Sequence, residues 1–252
     1  MATYAVGDIH GELVALEEVL AQVEPLLVPG DTLVFLGDYV DRGPDSRGVL
    51  ERIAGLRAHP PCRVEALLGN HEEWLLRTLR GGTSHSWLLG MDGISTVASY
   101  SPEVAAELRG EIARHGVALL RGEARLPYER FFELLPAAHR ALLEGLAPFA
   151  RTPDAVCVHG GAAAGVPAEA QEVRDLVWGA GGFPDDYLGP DLVVYGHRGD
   201  GLLDERGRAS PRPNEHGRAL GIDTIGRGVL TCLRLPDLAV FQSDPARARA
   251  QA

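Results

Sequence analysis

Short apolar runs broken by turn residues recur along this chain. Runs rich in β-branched and aromatic residues fall at 3–6, 32–36, 63–68, 155–158, 192–195, 219–222, 229–235 and 238–241, and predict strands. Between the first three lie segments with helical spacing. Residues 12–23 place Leu13, Leu16, Leu20 and Val23 on one face, and 47–56 and 72–79 repeat the habit. Strand alternating with helix predicts a βαβ core with parallel pairing. From about 84 to 150 the pattern turns mainly helical, with amphipathic stretches at 102–115 and 127–146, and is read as a helical insertion. Residues 199–218 are rich in Gly, Pro, Arg and Asp and lack apolar periodicity, which predicts a long exposed loop, either a substrate lid or a connector without a role. The tail from 243 to 252 is expected to fray. No internal repeat or heptad pattern is present, and 1–252 is read as a single α/β domain.

Composition narrows the class. Hydrophobic residues at 45% and charged residues at 23% are ordinary for a water-soluble domain and suggest neither disorder nor a membrane protein. The net charge of -11, from 35 acidic against 24 basic residues, argues against nucleic acid or an anionic membrane as partner. A phosphate-bearing substrate then needs local positive charge, and two divalent ions would bring about four units of it. Cys62, Cys157 and Cys232 are odd in number and lack CxxC spacing, so buried free thiols in a reducing cytosol are expected. Met1 runs straight into the first strand with no leader pattern, and a cytoplasmic location is expected.

Three polar motifs each follow a predicted strand, where loops of a parallel sheet converge on ligands. The first is Gly7-Asp8-Ile9-His10-Gly11, a carboxylate and an imidazole two residues apart and flanked by glycines that allow a sharp turn. That donor set suits a divalent transition metal, although an Asp before a helix also serves as an N-cap. The second is Gly37-Asp38-Tyr39-Val40-Asp41-Arg42-Gly43, in which Asp38 projects from a rigid strand end and Arg42 offers a planar fork matched to phosphate oxygens. A surface Asp–Arg ion pair is the bland alternative. The third is Gly69-Asn70-His71-Glu72, with an amide oxygen able to ligate and an imidazole able to exchange protons, or else a helix cap. His159 and His197 end two further apolar runs beside glycines and are read as metal ligands with the three motifs. His59, His85, His115, His139 and His216 lack that context and are expected on the solvated surface.

Together GDIHG, GDYVDRG and GNHE, followed by VHGG and YGH, resemble the phosphoprotein phosphatase family of calcineurin-like metallophosphoesterases, in its bacterial serine/threonine phosphatase type. Trp87-Leu88, Gly93, Thr96, Ser99 and Tyr100 are similar to a segment common in bacterial members. The resemblance implies an αββα sandwich of two mixed sheets with a dimetal centre at one edge. It implies Asp8, His10 and Asp38 on one ion and Asp38, Asn70, His159 and His197 on the other, with manganese first among the metals and iron or zinc as alternatives. Two cations roughly 3.5–4 Å apart would lower the pKa of a bridging water, whose hydroxide attacks phosphorus. Arg42 would hold the phosphate and His71, oriented by Asp41, would protonate the leaving group.

One departure stands out. Bacterial relatives often place a phosphate-binding arginine two residues after the tryptophan that lies between the last two histidines, but Trp178 is followed here by Gly179 and Ala180. Arg174 is taken as the substitute, with Arg198 as another candidate. The implied activity is hydrolysis of phosphoserine or phosphothreonine in proteins. A symmetrical dinucleoside tetraphosphate hydrolase is the alternative, although such relatives tend to differ at Asp41 and Glu72. A noncatalytic binding module on the same scaffold ranks last, because every ligand and the acid are present.

Overall fold

The computed structural model describes residues 1–82, 84–199 and 218–244. The chain begins with β1 (Thr3–Val6), α1 (Leu13–Val23), β2 (Thr32–Phe35), α2 (Ser46–Ala58), β3 (Arg63–Ala66) and α3 (Asn70–Leu79). A helical stretch follows: α4 (Ser86–Gly90), α5 (Gly93–Tyr100), α6 (Pro102–His115), α7 (Val117–Leu120), α8 (Glu129–Phe132) and α9 (Ala137–Glu144). The remainder is β4 (Phe149–Arg151), β5 (Val156–Val158), α10 (Val173–Trp178), β6 (Val193–Tyr195), β7 (Ala219–Gly221), β8 (Thr231–Leu235) and β9 (Ala239–Gln242).

The strands form two mixed sheets, one ordered β3-β2-β1-β8-β9 and the other β4-β5-β6-β7. The strands β1, β2 and β3 pair in parallel and β8 and β9 antiparallel. In the second sheet β5, β6 and β7 are parallel and β4 is antiparallel. Alternation along each strand explains why apolar runs are continuous: Ala5, Val34 and Leu36 meet Cys157, Val194 and Leu220 between the sheets. The intervening Tyr4, Val6, Leu33 and Phe35 pack under α1 and α2. Val156, Val158, Val193 and Tyr195 pack against Leu176 of α10, Phe183 and Tyr187. Each of the larger side chains contributes about 1.5–3 kcal/mol by leaving water. The order of layers is helix, sheet, sheet, helix, which is the expected αββα sandwich.

Where the helical reading was sharp, capping chemistry explains it. Ser101 accepts from the Val104 N–H, Pro102 opens α6 and Gly116 closes it. The stretch 127–146 instead breaks into α8 and α9, because Pro136 sits at ψ 150 just before α9. The helical stretch gives way to a strand at its end: Phe149 and Ala150 belong to β4, whose three residues are too few to show a period. Two surface histidines are corrected as well. His85 is buried, donating from Nε2 to the Ala124 carbonyl and accepting from the Tyr128 hydroxyl. His139 is buried between Tyr100 and Glu51. Each is satisfied by a partner distant in sequence, which no local pattern announces. The loop expected at 199–218, His216 and the tail lie outside the described residues, apart from Gly199, Arg218, Ser243 and Asp244. All three cysteines are free and buried, and no described helix is long and apolar enough to cross a membrane.

Candidate active site

The loops after β1, β2, β3, β5 and β6 meet at one edge of the sandwich. Hydrogen bonds lock the first two together: the Ile9 and His10 N–H groups donate to the Asp38 carbonyl at 3.0 and 2.8 Å, and Gly43 N–H donates to the His10 carbonyl at 2.9 Å. A Cβ on Gly43 would stand 2.1 Å from that carbonyl, so only glycine fits. The third loop is tied in by Glu72. Its buried carboxylate accepts from the N–H groups of Asp38 and Tyr39 at 2.8 Å and of Val40 and Gly69 at 3.2 Å. Five of the seven described non-glycine residues with positive φ lie here: His10, Asp38, Asp41, Arg42 and His197. Strained backbone gathered at one place is the mark of a site held in shape by its surroundings.

The capping alternatives fail in the structure. Glu12 stands at the N-cap of α1 and Gly69 at that of α3, which leaves Asp8 and Asn70 free for other work. Nor does Asp38 lie on the surface, being buried with Asp8, Asn70, His10, His71 and His159.

Two donor clusters share Asp38 and could each hold a metal ion, one of His10, Asp38 and His71, the other of Asp38, His159 and His197. His10 donates from Nδ1 to the Val40 carbonyl at 2.9 Å, leaving the Nε2 lone pair turned inward. His159 donates from Nδ1 to the Leu36 carbonyl at 3.0 Å, with Nε2 3.0 Å from Asn70 Oδ1 and 3.3 Å from Asp38 Oδ1. His197 Nδ1 lies 3.0 Å from the same amide oxygen. Asp8 accepts from the His197 N–H with both oxygens at 3.0 Å.

The electrostatics ask for positive charge. Burial pushes His10 down to about 3, and burial with the charge of His159 takes His197 down to about 4, so both are neutral imidazoles fit to ligate. Burial also opposes charge on His159, but Asp38 and Asp8 outweigh it and raise this group to about 10. Asp8 is raised by burial and by the negative charge of Asp223 and Asp38. Buried carboxylates crowded beside neutral imidazoles offer negative charge and lone pairs that a cation would neutralise. The residues present therefore fit a pair of divalent ions.

Arg42 and His71 face this cluster. The Arg42 guanidinium donates to His10 Nε2 at 2.8 Å and to His71 Nε2 at 3.2 Å. His71 donates from Nδ1 to Asp41 Oδ2 at 2.8 Å. Burial alone would lower the His71 pKa, but this bond and the charge of Asp38 prevail and raise it. Asp41 is itself held by Trp87 Nε1, 3.1 Å from both of its oxygens, and by Thr96 Oγ1 at 2.5 Å. The helical segment thus reaches the site through two side chains from the segment that resembles bacterial phosphatases. A cleft of about 400 Å³ runs beside Arg42, Gly43 and Pro44 toward Arg109 of α6.

The two candidate clamps fare differently. Arg174 is exposed on α10, and among the described residues no hydrogen bond or ion pair joins it to the cluster. Arg198 stands nearer, its Nη1 3.5 Å from where a Cβ on Gly179 would be, and its charge bears on His197. Asp223 was missed altogether, although it follows an apolar strand as Asp8 and Asp38 do. It is buried and its Oδ2 accepts from the Gly199 N–H at 2.7 Å.

An αββα sandwich with buried carboxylates, an amide and imidazoles gathered at one edge defines a dimetal phosphoesterase. Residues 1–218 match the calcineurin-like phosphoesterase model, and the chain belongs to that family. Over 81 residues, 32% of this chain and 27% of the relative's length, it is 46% identical to the symmetrical bis(5'-nucleosyl)-tetraphosphatase of Pectobacterium carotovorum subsp. carotovorum strain PC1. It is 27% identical to the asymmetrical bis(5'-nucleosyl)-tetraphosphatase of Bacillus velezensis strain FZB42 over 246 residues, 94% of this chain and 90% of that one. A crystal structure provisionally described as a diadenosine tetraphosphatase matches with a TM-score of 0.62 at 21% identity, covering 96% of this chain and 92% of that one, a likeness of fold alone.

Proposed function

We propose that this enzyme is a phosphomonoesterase that hydrolyses phosphoserine and phosphothreonine in proteins. The observation that carries the reading is His71 held by Asp41. A serine or threonine alkoxide is a poor leaving group and needs a proton as it departs, whereas a nucleotide leaves as a stabilised phosphate anion. An enzyme for anhydrides has less use for a buried dyad that raises an imidazole pKa.

In this reading Asp8, His10 and Asp38 would hold one divalent ion, and Asp38, Asn70, His159 and His197 the other, with manganese first and iron or zinc as alternatives. When bound, the ions would supply positive charge to the phosphate and lower the pKa of a water. Arg42 turns from the two imidazoles to the equatorial phosphate oxygens, for which its fork is suited. With Arg42 turned away, His71 Nε2 takes up a proton, which its raised pKa favours, and passes it to the departing oxygen while Asp41 stabilises the imidazolium and fixes the ring. Arg174 or Arg198 would add a second phosphate contact, and Arg198 is the better placed. In this reading the chain would act as one domain with the helical stretch before β4 as its insertion, in a reducing cytoplasm that suits three buried thiols.

Dinucleoside tetraphosphate hydrolysis is the second reading, favoured by the name of the Bacillus velezensis relative, which aligns along nearly the whole chain. Purified enzyme with manganese, given a phosphoserine peptide and diadenosine tetraphosphate side by side, decides between them. Higher kcat/KM on the peptide is expected; preference for the dinucleotide reverses the order.

A further inference from the structure

The turn that carries His197 hangs from two buried carboxylates. Asp8 accepts from the N–H of His197, and Asp223 accepts from the N–H of Gly199 at 2.7 Å. His197 and Gly199 both hold left-handed backbone, at φ 65 and 61. Histidine adopts that region at a cost, so the turn needs anchors outside itself. Asp223 reaches it because β7 runs beside β6, where Ile222 N–H donates to the Tyr195 carbonyl at 3.0 Å. The same register brings the Ile222 carbonyl 2.7 Å from where a Cβ on Gly7 would be, which sets Asp223 beside Asp8.

Asp223 is only 6% exposed, and its Oδ1 is the one buried side-chain oxygen or nitrogen without a hydrogen-bond partner among the described residues. An orphaned buried carboxylate oxygen is costly and persists only where another demand outweighs the cost. Resting on the dimetal reading above, we propose that Asp223 is a positioning residue for His197. Its bond to Gly199 fixes the turn in which the imidazole faces Asn70 and Asp38, and so completes the donor set of the second ion.

The test is calorimetric titration of manganese into the metal-stripped full chain. Wild type takes up two ions. Asp223→Ala is expected to weaken one of them by about 10- to 100-fold and to change the other, whose Asp8 feels only the lost charge, far less. Asp223→Asn, whose amide oxygen can still accept from Gly199, loses less, and it carries the measurement if the alanine variant does not fold. In a His197→Ala background the Asp223→Ala change adds no further loss, because the group it positions is gone. Wild-type affinity for both ions in Asp223→Ala, equal loss at both, or a full additional loss in the His197→Ala background overturns the inference and leaves the metal centre standing. Failure of the wild type to bind manganese overturns both.

Discussion

His71 and Asp41 show how much depends on one hydrogen bond. His71→Asn should lower kcat on a phosphoserine peptide by about 10²- to 10⁴-fold while manganese content stays at the wild-type level. Steady-state rates and metal analysis of the same sample check both halves. The pH dependence follows from the raised pKa of His71. The acid form exists below that pKa and is lost as pH rises through it, so kcat should fall on an alkaline limb above the ordinary histidine value of roughly 6.5. Asp41→Asn removes the charge that favours the imidazolium and should move the limb to lower pH; a profile identical to wild type removes Asp41 from this role. Both residues stand in local motifs, but what holds the Asp41 carboxylate in place, Trp87 and Thr96 some fifty residues further on, is not written in those motifs.

At the scale of elements, α3 does two jobs. Its first residues face the metal cluster, and Glu72 gathers four N–H groups from the loops after β2 and β3. Glu72→Gln exchanges one acceptor oxygen for a donor and leaves buried N–H groups unpaired. The expected loss is about 3 kcal/mol in urea unfolding, together with weaker manganese binding. A loss below about 0.5 kcal/mol would mean that the loops hold their shape without it. The motif GNHE was legible as chemistry, but the role of its last residue was not. Helix boundaries show the same division: α6 carries its own cap, proline and terminal glycine and was read to the residue, whereas α8 and α9 were merged because amphipathic spacing persists across Pro136.

For the whole molecule, the sandwich concentrates negative charge at one edge and leaves it for ions to neutralise. Each ion bound at 100 times its Kd adds about 2.7 kcal/mol to stability. Stripping the enzyme with a chelator should therefore lower Tm by about 5 °C or more per ion and restore it on adding manganese. An unchanged Tm in scanning calorimetry would show that the edge folds equally well without ions. The acidic net charge, which argued against nucleic acid as a partner, here becomes part of the site's affinity for cations.

Strand-forming runs and the polar motifs that end them are local properties, so the sheet-forming core and the residues brought to its edge, Asp8, His10, Asp38, Asn70, His71, His159 and His197, are legible in the chain. What those residues meet is set by long-range packing. Which strands become neighbours across two sheets, and which buried polar atoms find partners, depends on packing between segments far apart in the chain. That is why Glu72, Asp223, Trp87 and the buried His85 and His139 took their places only when the layers closed.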